Sequence, residues 1–161
     1  MTAGAGTGGG PDRPPLARLF AIAYRTLIDG LHESLQERGW YDVRPAFGFV
    51  LLAAADGPTT ATDLAALMGT TKQAASKLVD TMEDAGYVAR TVDGPDARRR
   101  LVSLTARGRK LLDAVEQIYA DLEAGWADVV GAGAVERLRR DLVRILVRDH
   151  DGRLPPVRPT W

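Results

Sequence analysis

Apolar side chains recur three and four positions apart in six segments of the chain, the spacing that places them on one side of an α-helix. The first stripe runs at near-heptad spacing from Leu16 and ends near Arg38, and the second centres on the inner positions 47, 50, 51 and 54. Two shorter segments begin at Thr60 and Thr70. A long stripe predicts a helix over about 106–130, and after a break at 131–133 a last stripe runs from Val135 to Leu146.

The two short segments carry signals for helix ends at close spacing. Thr60 and Asp63 have the spacing of a capping box, and Thr70 and Gln73 repeat it. Gly69 lies between them and can adopt the left-handed backbone that closes a helix. We therefore expect Thr70 to cap the second helix directly after Gly69. Such a sharp turn between two short helices predicts a helix-turn-helix.

The second of these helices has two chemically different sides. Its inward side is apolar, and its outward side carries small polar or basic groups: Lys72, Gln73, Ser76, Lys77 and Asp80. Such groups can form hydrogen bonds with base edges and phosphates in a major groove. A polar helix face is more often merely solvated, so this pattern alone does not identify a DNA-binding helix.

A predicted β-hairpin follows the two helices. Residues 87–92 and part of 101–104 are rich in aromatic and β-branched side chains, and the sequence Asp93-Gly94-Pro95-Asp96 between them favours a turn. Arg98, Arg99 and Arg100 would lie at or beside the tip, where guanidinium groups could enter a minor groove. Thr105 is expected to cap the long helix that comes next.

These segments resemble the DNA-binding core of the MarR family of winged-helix regulators. The wing pattern of that family is matched by Asp96, Arg98, Leu101, Leu104, Thr105 and Gly108, and the step after its recognition helix by Gly86-Tyr87-Val88. The resemblance extends over about residues 16–149. It implies that Arg98 enters the minor groove and that Asp96 holds the wing by pairing with a nearby arginine. The DNA-binding residues it implies are Thr71, Lys72, Gln73, Ser76 and Lys77 on the recognition helix and Arg98, Arg99 and Arg100 on the wing.

The predicted fold class is mainly α with a small β-hairpin wing (α+β). A winged helix-turn-helix lobe over about 43–105 would be joined to a helical dimerisation arm formed by residues 16–38 and 106–149. Together they would form one domain over 16–149. The Gly-, Thr- and Pro-rich segment 1–15 is expected to be disordered, and 150–161 to be an extended tail.

The charge distribution is uneven although the formal net charge is zero. The window from Thr71 to Lys110 has nine basic and five acidic residues, so it carries +4 and the rest of the chain −4. A basic face on a neutral protein favours local binding of DNA and limits unspecific adhesion.

Several functional classes are disfavoured by the composition. The chain has no cysteine, which excludes disulfides and thiolate metal sites, and its two histidines lie far apart. Nucleophile-elbow, Walker-type and zinc-protease motifs are absent. We therefore expect no enzyme activity, no catalytic residues, no cofactor and no metal. Without a long apolar run or a signal-peptide pattern, the expected location is the cytoplasm, with no membrane partner.

The flanking stripes leave more apolar surface than a small monomer can bury, so the first and last helices are expected to pair in a homodimer. The resulting hypothesis is a transcriptional regulator, more often a repressor in this family, which binds a pseudo-palindromic operator in double-stranded DNA and is released by a small-molecule effector. Trp40, Phe47 and Tyr119 are the candidate effector pocket, although ordinary core packing is the favoured explanation for such aromatic residues. The alternative function is a winged-helix module for protein interactions without sequence-specific DNA binding.

Overall fold

The structure, a computed structural model, describes residues 13–93, 96–148 and 150–155, and for residues 93 and 96–99 it describes the backbone alone. This part contains six helices and one antiparallel hairpin. The elements are α1 (Leu16–Glu37), α2 (Phe47–Ala55), α3 (Ala61–Met68), α4 (Lys72–Asp84), β1 (Val88–Asp93), β2 (Asp96–Leu104), α5 (Ala106–Val130) and α6 (Ala132–Arg148). The predicted fold class is confirmed. The predicted tails at 1–12 and 156–161 lie outside the described residues.

The core lies where α2, α3, α4, the hairpin and the first half of α5 meet. The predicted inner face of α2 is confirmed, since Phe47, Val50, Leu51 and Ala54 are all buried. The largest side chains fully enclosed around them include Tyr87, Leu64, Met82 and Leu111. This core supports the outward face of α4 from behind.

The turn between α3 and α4 differs from the prediction by one residue. Gly69 closes α3 in the left-handed conformation with φ 63°. The Thr70 amide then donates to the Ala65 carbonyl at 3.0 Å, so Thr70 still belongs to the end of α3. Thr71, not Thr70, has the extended backbone of a cap, and its side chain accepts from the Ala74 amide at 3.1 Å. The predicted cap at Thr70 is therefore wrong, because the α3 closing motif requires one more residue.

The hairpin begins later and reaches further than predicted. β1 begins at Val88, because Tyr87 is fully buried and its amide closes the end of α4 by donating to Met82. β2 begins at Asp96, and the ladder pairs Arg100 with Val92. Of the three arginines predicted at or beside the tip, Arg100 is paired in the ladder, and Arg98 and Arg99 lie between it and Asp96 in β2. A bridge from Thr59 to Val102 adds a third short segment to the hairpin.

The junction of hairpin and α5 is formed by a close backbone contact. Thr105 caps α5 as predicted and accepts from the Gly108 amide at 3.0 Å. Its hydroxyl also lies 2.6 Å from the Gly86 carbonyl. Gly108 packs against the carbonyl of Tyr87 so closely that a Cβ on this residue would overlap the oxygen.

Helices α1, α5 and α6 form an arm with little interior of its own. Gly131, with φ 87°, ends α5, and α6 begins at Ala132, so the predicted break at 131–133 is limited to one residue. No residue of α6 is buried, and on α1 only Leu31 and Leu35 are. Exposed apolar side chains therefore cover this arm, among them Leu16, Leu19, Phe20, Ile22, Leu138, Ile145 and Leu146.

Candidate nucleic-acid interface

The outward face of α4 presents the polar side chains that the sequence predicted. Ala75, Val79 and Met82 are buried, which fixes the rotation of the helix. Lys72, Gln73 and Lys77 are therefore exposed, as is Thr71 at the cap, whereas Ser76 is half-buried. The first turn of α4 carries a basic side chain, Lys72, and an amide side chain, Gln73, at the positive end of the helix dipole. This arrangement is suited to anionic ligands.

A groove opens between this face, the start of α3 and the hairpin. Its volume is about 570 Å³. It is lined by Thr60, Ala61, Thr62, Asp63, Lys72, Ser76, Asp80, Arg90, Arg100 and Val102. Helix α4 and the wing thus share one concave surface, with Lys72 on one wall and Arg100 on the other.

The predicted wing residues are described to different extents. Arg100 is exposed and lines the groove. The side chains of Asp96, Arg98 and Arg99 lie outside the described part of the chain, although their backbone belongs to β2. The predicted minor-groove contact of Arg98, the contact of Arg99 and the supporting role of Asp96 therefore stay predictions.

Arg90 is a residue of this surface that the sequence reasoning counted only as a charge. Its guanidinium lies 2.6 Å from Asp80 Oδ1 and 2.6 Å from Glu83 Oε2. The available signal was the pair of acidic residues on the last turns of α4, three positions apart and therefore on one side of the helix. A basic residue in the first strand after that helix is well placed to meet them.

The centre of the chain is similar to a known protein family. The model that describes the MarR family matches residues 49–99, which span α2, the helix-turn-helix and most of the hairpin. Over this segment the chain is similar to the MarR family. The resemblance inferred from the wing and helix motifs is thereby confirmed.

Solved MarR-family structures share the fold over most of the chain. MarR from E. coli in its apo form is 24% identical, with a TM-score of 0.68 over 84% of this chain and 99% of that one. A MarR-family protein of Mycobacterium tuberculosis in complex with salicylic acid is 26% identical, with a TM-score of 0.63 over 83% and 98%. A variant of MepR from S. aureus bound to an oligodeoxyribonucleotide is 22% identical, with a TM-score of 0.61 over 84% and 99%. No curated protein sequence matches the chain significantly.

The aromatic residues predicted as an effector pocket belong to the packed interior of the protein. Phe47 is fully buried, and half-buried Trp40 and Tyr119 pack against the same core. The rings of Trp40 and Phe47 lie 6.1 Å and 5.9 Å from that of Tyr87. The arrangement has the form expected of core packing, and the effector role of these residues stays a prediction.

Tyr87 connects this aromatic cluster to two charged residues. Its hydroxyl donates to Asp42 Oδ1 at 2.5 Å and accepts from Arg107 at 3.3 Å. The Arg107 guanidinium lies over the rings of Tyr87 and Trp40, at 4.9 Å and 5.3 Å from their centroids. Burial, followed by the hydrogen bond to Asp42, raises the pKa of Tyr87, while Arg107 acts in the opposite direction. Neutral Tyr87 thus joins the connector before α2 to the start of α5.

Two negative findings concern the part of the chain that the structure describes. No group of three or more His, Cys, Asp or Glu side chains there is arranged to hold a metal ion. None of its helices combines the length and apolar character that crossing a membrane requires.

Proposed function

We propose that this protein is a MarR-family transcriptional regulator that acts in the cytoplasm and binds double-stranded DNA through α4 and the wing. The convergence of Lys72, Ser76 and Arg100 on one open groove is the observation that supports this proposal most directly. The exposed side chains at the start of α4 would enter the major groove, with Thr71, Lys72, Gln73, Ser76 and Lys77 as the contacting residues. Arg98, Arg99 and Arg100 would approach the minor groove or the adjacent phosphates.

A homodimer is the second part of the proposal. Many apolar side chains of α1 and α6 are exposed in one chain, and pairing the two arms across a twofold axis would bury them. Two recognition helices would then be presented about one turn of DNA apart, so the operator would be pseudo-palindromic. Residues 16–149 would thus form one domain, with the lobe at about 43–105 carried on the dimerisation helices.

Repression relieved by a small molecule is the third part. The similar protein from Mycobacterium tuberculosis has a complex with salicylic acid, an aromatic carboxylic acid. A ligand of that type in the present chain would contact Trp40, Phe47 and Tyr119, between the lobe and the arm. Since Phe47 is fully enclosed, binding there would favour a different position of the lobe and shift the population away from the DNA-binding form.

A salt titration with two variants tests DNA binding against the protein-interaction alternative. Genomic fragments retained by the protein are footprinted, and the affinity for the selected duplex is measured over a range of salt concentrations. Arg98→Ala and Arg100→Ala should each weaken the affinity for operator and unrelated duplex alike, and each should reduce the slope of log affinity against log salt by about 0.9 for one lost phosphate contact.

Arg38→Gln provides the control for that titration. It removes a cation that pairs with Asp121 at 2.8 Å, away from the groove, so the affinity and the slope should stay at the wild-type values. Wild-type affinity that does not depend on salt, or no retained duplex at all, would favour the protein-interaction module instead.

A further inference from the structure

Arg90 is held by more contacts than any other basic side chain described at the groove. Its side chain is only 13% exposed although it lines the groove, and its guanidinium bonds to Asp80, to Glu83 and, at 3.1 Å, to the Ser76 carbonyl. The backbone amide of Arg90 also donates to Glu83 Oε1 at 3.0 Å. Glu83 thus binds the main chain and the side chain of one strand residue at the same time.

These contacts attach the root of the wing to successive turns of the recognition helix. Ser76, Asp80 and Glu83 are spaced four and three residues apart and therefore follow one side of α4. The guanidinium has a planar set of donors in fixed directions. Its bonds therefore fix the angle between the strand and the helix as well as stabilise the contact.

The opposite strand carries this constraint to the start of α3. Arg90 pairs with Val102 in the ladder, and Val102 exchanges two backbone hydrogen bonds with Thr59, at 3.0 Å and 2.7 Å. Thr59 directly precedes the cap of α3. The hairpin is therefore fixed on one side to α4 and on the other to the entrance of α3. Arg100 lies two residues before Val102 on the same strand and therefore faces the same side of the hairpin.

The same guanidinium changes the charge of the groove. Asp80 lines the groove, and an unpaired carboxylate there would repel the phosphates of a bound duplex. Arg90 lies within ion-pair distance of both Asp80 and Glu83, so it offsets negative charge beside Lys72 without presenting an exposed cation. Arg100, by contrast, is exposed and has the accessibility that a phosphate contact requires.

We infer that Arg90 is a positioning residue for DNA binding, which fixes the wing relative to α4 and neutralises Asp80 without contacting the duplex itself. The inference rests on the proposed function. It assigns separate roles to Arg90 and Arg100 of the hairpin, with Arg90 acting through the geometry of the site and Arg100 through direct contact.

Binding of the selected operator by Arg90→Gln, Arg90→Lys and Glu83→Ala tests this role, with wild type, Arg100→Ala and Arg38→Gln as references. Arg90→Gln should weaken binding by about tenfold or more while the salt slope stays at the wild-type value, because no phosphate contact is lost. The affinity of Arg90→Lys should lie between those of wild type and Arg90→Gln, since one ammonium group cannot reproduce the planar set of bonds. Adding Glu83→Ala to Arg90→Gln should cost little beyond the single variants, because both remove the same link.

Two further measurements separate positioning from general loss of structure. In hydroxyl-radical footprints, Arg90→Gln should lose protection where the wing meets DNA and retain it where α4 does. In the free protein, amide hydrogen exchange of the hairpin should accelerate more than that of α5. If Arg90→Gln does not fold, Glu83→Ala carries the same expectations at a smaller magnitude, since it leaves the arginine in place and removes both bonds to Glu83.

Three results would overturn the inference. A salt slope lowered by about 0.9 in Arg90→Gln would identify Arg90 as a phosphate contact. Unchanged affinity of Arg90→Gln for the operator would mean that Arg90 has no part in DNA binding. Footprints weakened evenly along the DNA, together with unchanged amide hydrogen exchange in the hairpin, would mean that Arg90 does not position the wing. Failure of the wild type to bind any duplex would instead contradict the proposed function, and hydrogen exchange of the free variants would still decide whether Arg90 orders the hairpin.

Discussion

At the residue scale, Tyr87 joins three parts of the chain through a single side chain. Its ring packs between Trp40 and Phe47, its hydroxyl binds Asp42, and Arg107 of α5 stacks on it. Its carbonyl accepts from the Thr105 amide at 3.1 Å. The position of the lobe on the arm therefore depends on this residue being neutral and enclosed.

The raised pKa of Tyr87 predicts a loss of stability in alkaline solution. The unfolded chain releases this proton near the ordinary value of 10, whereas the folded chain retains it to higher pH. Between the unfolded and the folded pKa of Tyr87 the native state binds more protons, so the contribution of Tyr87 to the free energy of unfolding should be constant below about pH 10 and fall as the pH rises above it. Tyr87→Phe should make this fall shallower and should cost on the order of 1 kcal/mol at neutral pH for the lost hydrogen bond.

Denaturant unfolding at a series of pH values measures the effect. Tyr41→Phe is the matched control, because Tyr41 is 79% exposed and its hydroxyl should contribute little to stability at any pH. An equally steep alkaline loss in Tyr87→Phe and wild type would contradict the assignment.

Gly108 predicts a large effect from a single methyl group. A Cβ there would overlap the Tyr87 carbonyl, which is backbone and cannot rotate away. Gly108→Ala should therefore lower the free energy of unfolding by about 1–3 kcal/mol or more. Gly125→Ala in the same helix meets nothing within 4 Å and should instead raise it by about 0.5–1 kcal/mol. Thermal unfolding of both variants would compare them, and equal effects would mean that α5 tolerates displacement from Tyr87.

At the element scale, the position of the α4 cap can be measured directly. Thr71→Ala should lower the free energy of unfolding by about 1 kcal/mol, because the Ala74 amide loses its acceptor. Thr70→Ala should change it by less than about 0.5 kcal/mol, since the part played by Thr70 at the end of α3 uses its backbone amide. If chemical denaturation showed a larger loss of stability for Thr70→Ala than for Thr71→Ala, Thr70 would be the cap of α4 after all.

The same turn shows what the sequence could predict and what it could not. Periodicity gave the six helices, the inner face of α2 and both ends of α5, because these depend on local spacing and caps. It did not separate Thr70 from Thr71, since both side chains are able to cap and the choice depends on how α3 closes. Turn signals at 93–96 indicate a hairpin tip but do not show where pairing resumes, so the pairing of Arg100 with Val92 was not predicted.

The candidate site was predictable in part for a related reason. Lys72, Gln73 and Lys77 follow from helical rotation alone, and their exposure agrees with the prediction. Arg90 was missed because its role depends on contacts with side chains seven and ten residues earlier in the chain. The burial of Phe47 likewise depends on tertiary packing, and a short aromatic cluster in a sequence does not distinguish a core from a pocket.

At the scale of the whole molecule, the arm carries the apolar surface that the lobe lacks. α6 has no buried residue in one chain, yet Leu138, Ile145 and Leu146 are apolar. A helix with this pattern obtains most of its stability from packing, so it requires a partner surface. The proposed homodimer supplies that surface.

Leu138→Asp should weaken the association of two chains by at least about tenfold, because a carboxylate would be desolvated against apolar side chains. Leu52→Asp is a matched control, since Leu52 on α2 is exposed to the same degree, 46% against 45%, but lies on the lobe. Sedimentation equilibrium would give both association constants. If Leu52→Asp dissociated the dimer and Leu138→Asp left it intact, the interface would lie on the lobe and not on the arm.

The separation of the apolar arm from the polar groove has a genetic consequence. A copy whose groove is damaged keeps the surface of α1 and α6 with which it would join an intact copy. A dimer of one intact and one altered chain would then have one groove that can bind its half of the operator and one that cannot. Alleles altered at Lys72 or Arg100 should therefore be dominant over the wild-type allele, whereas alleles altered at Leu138 should be recessive.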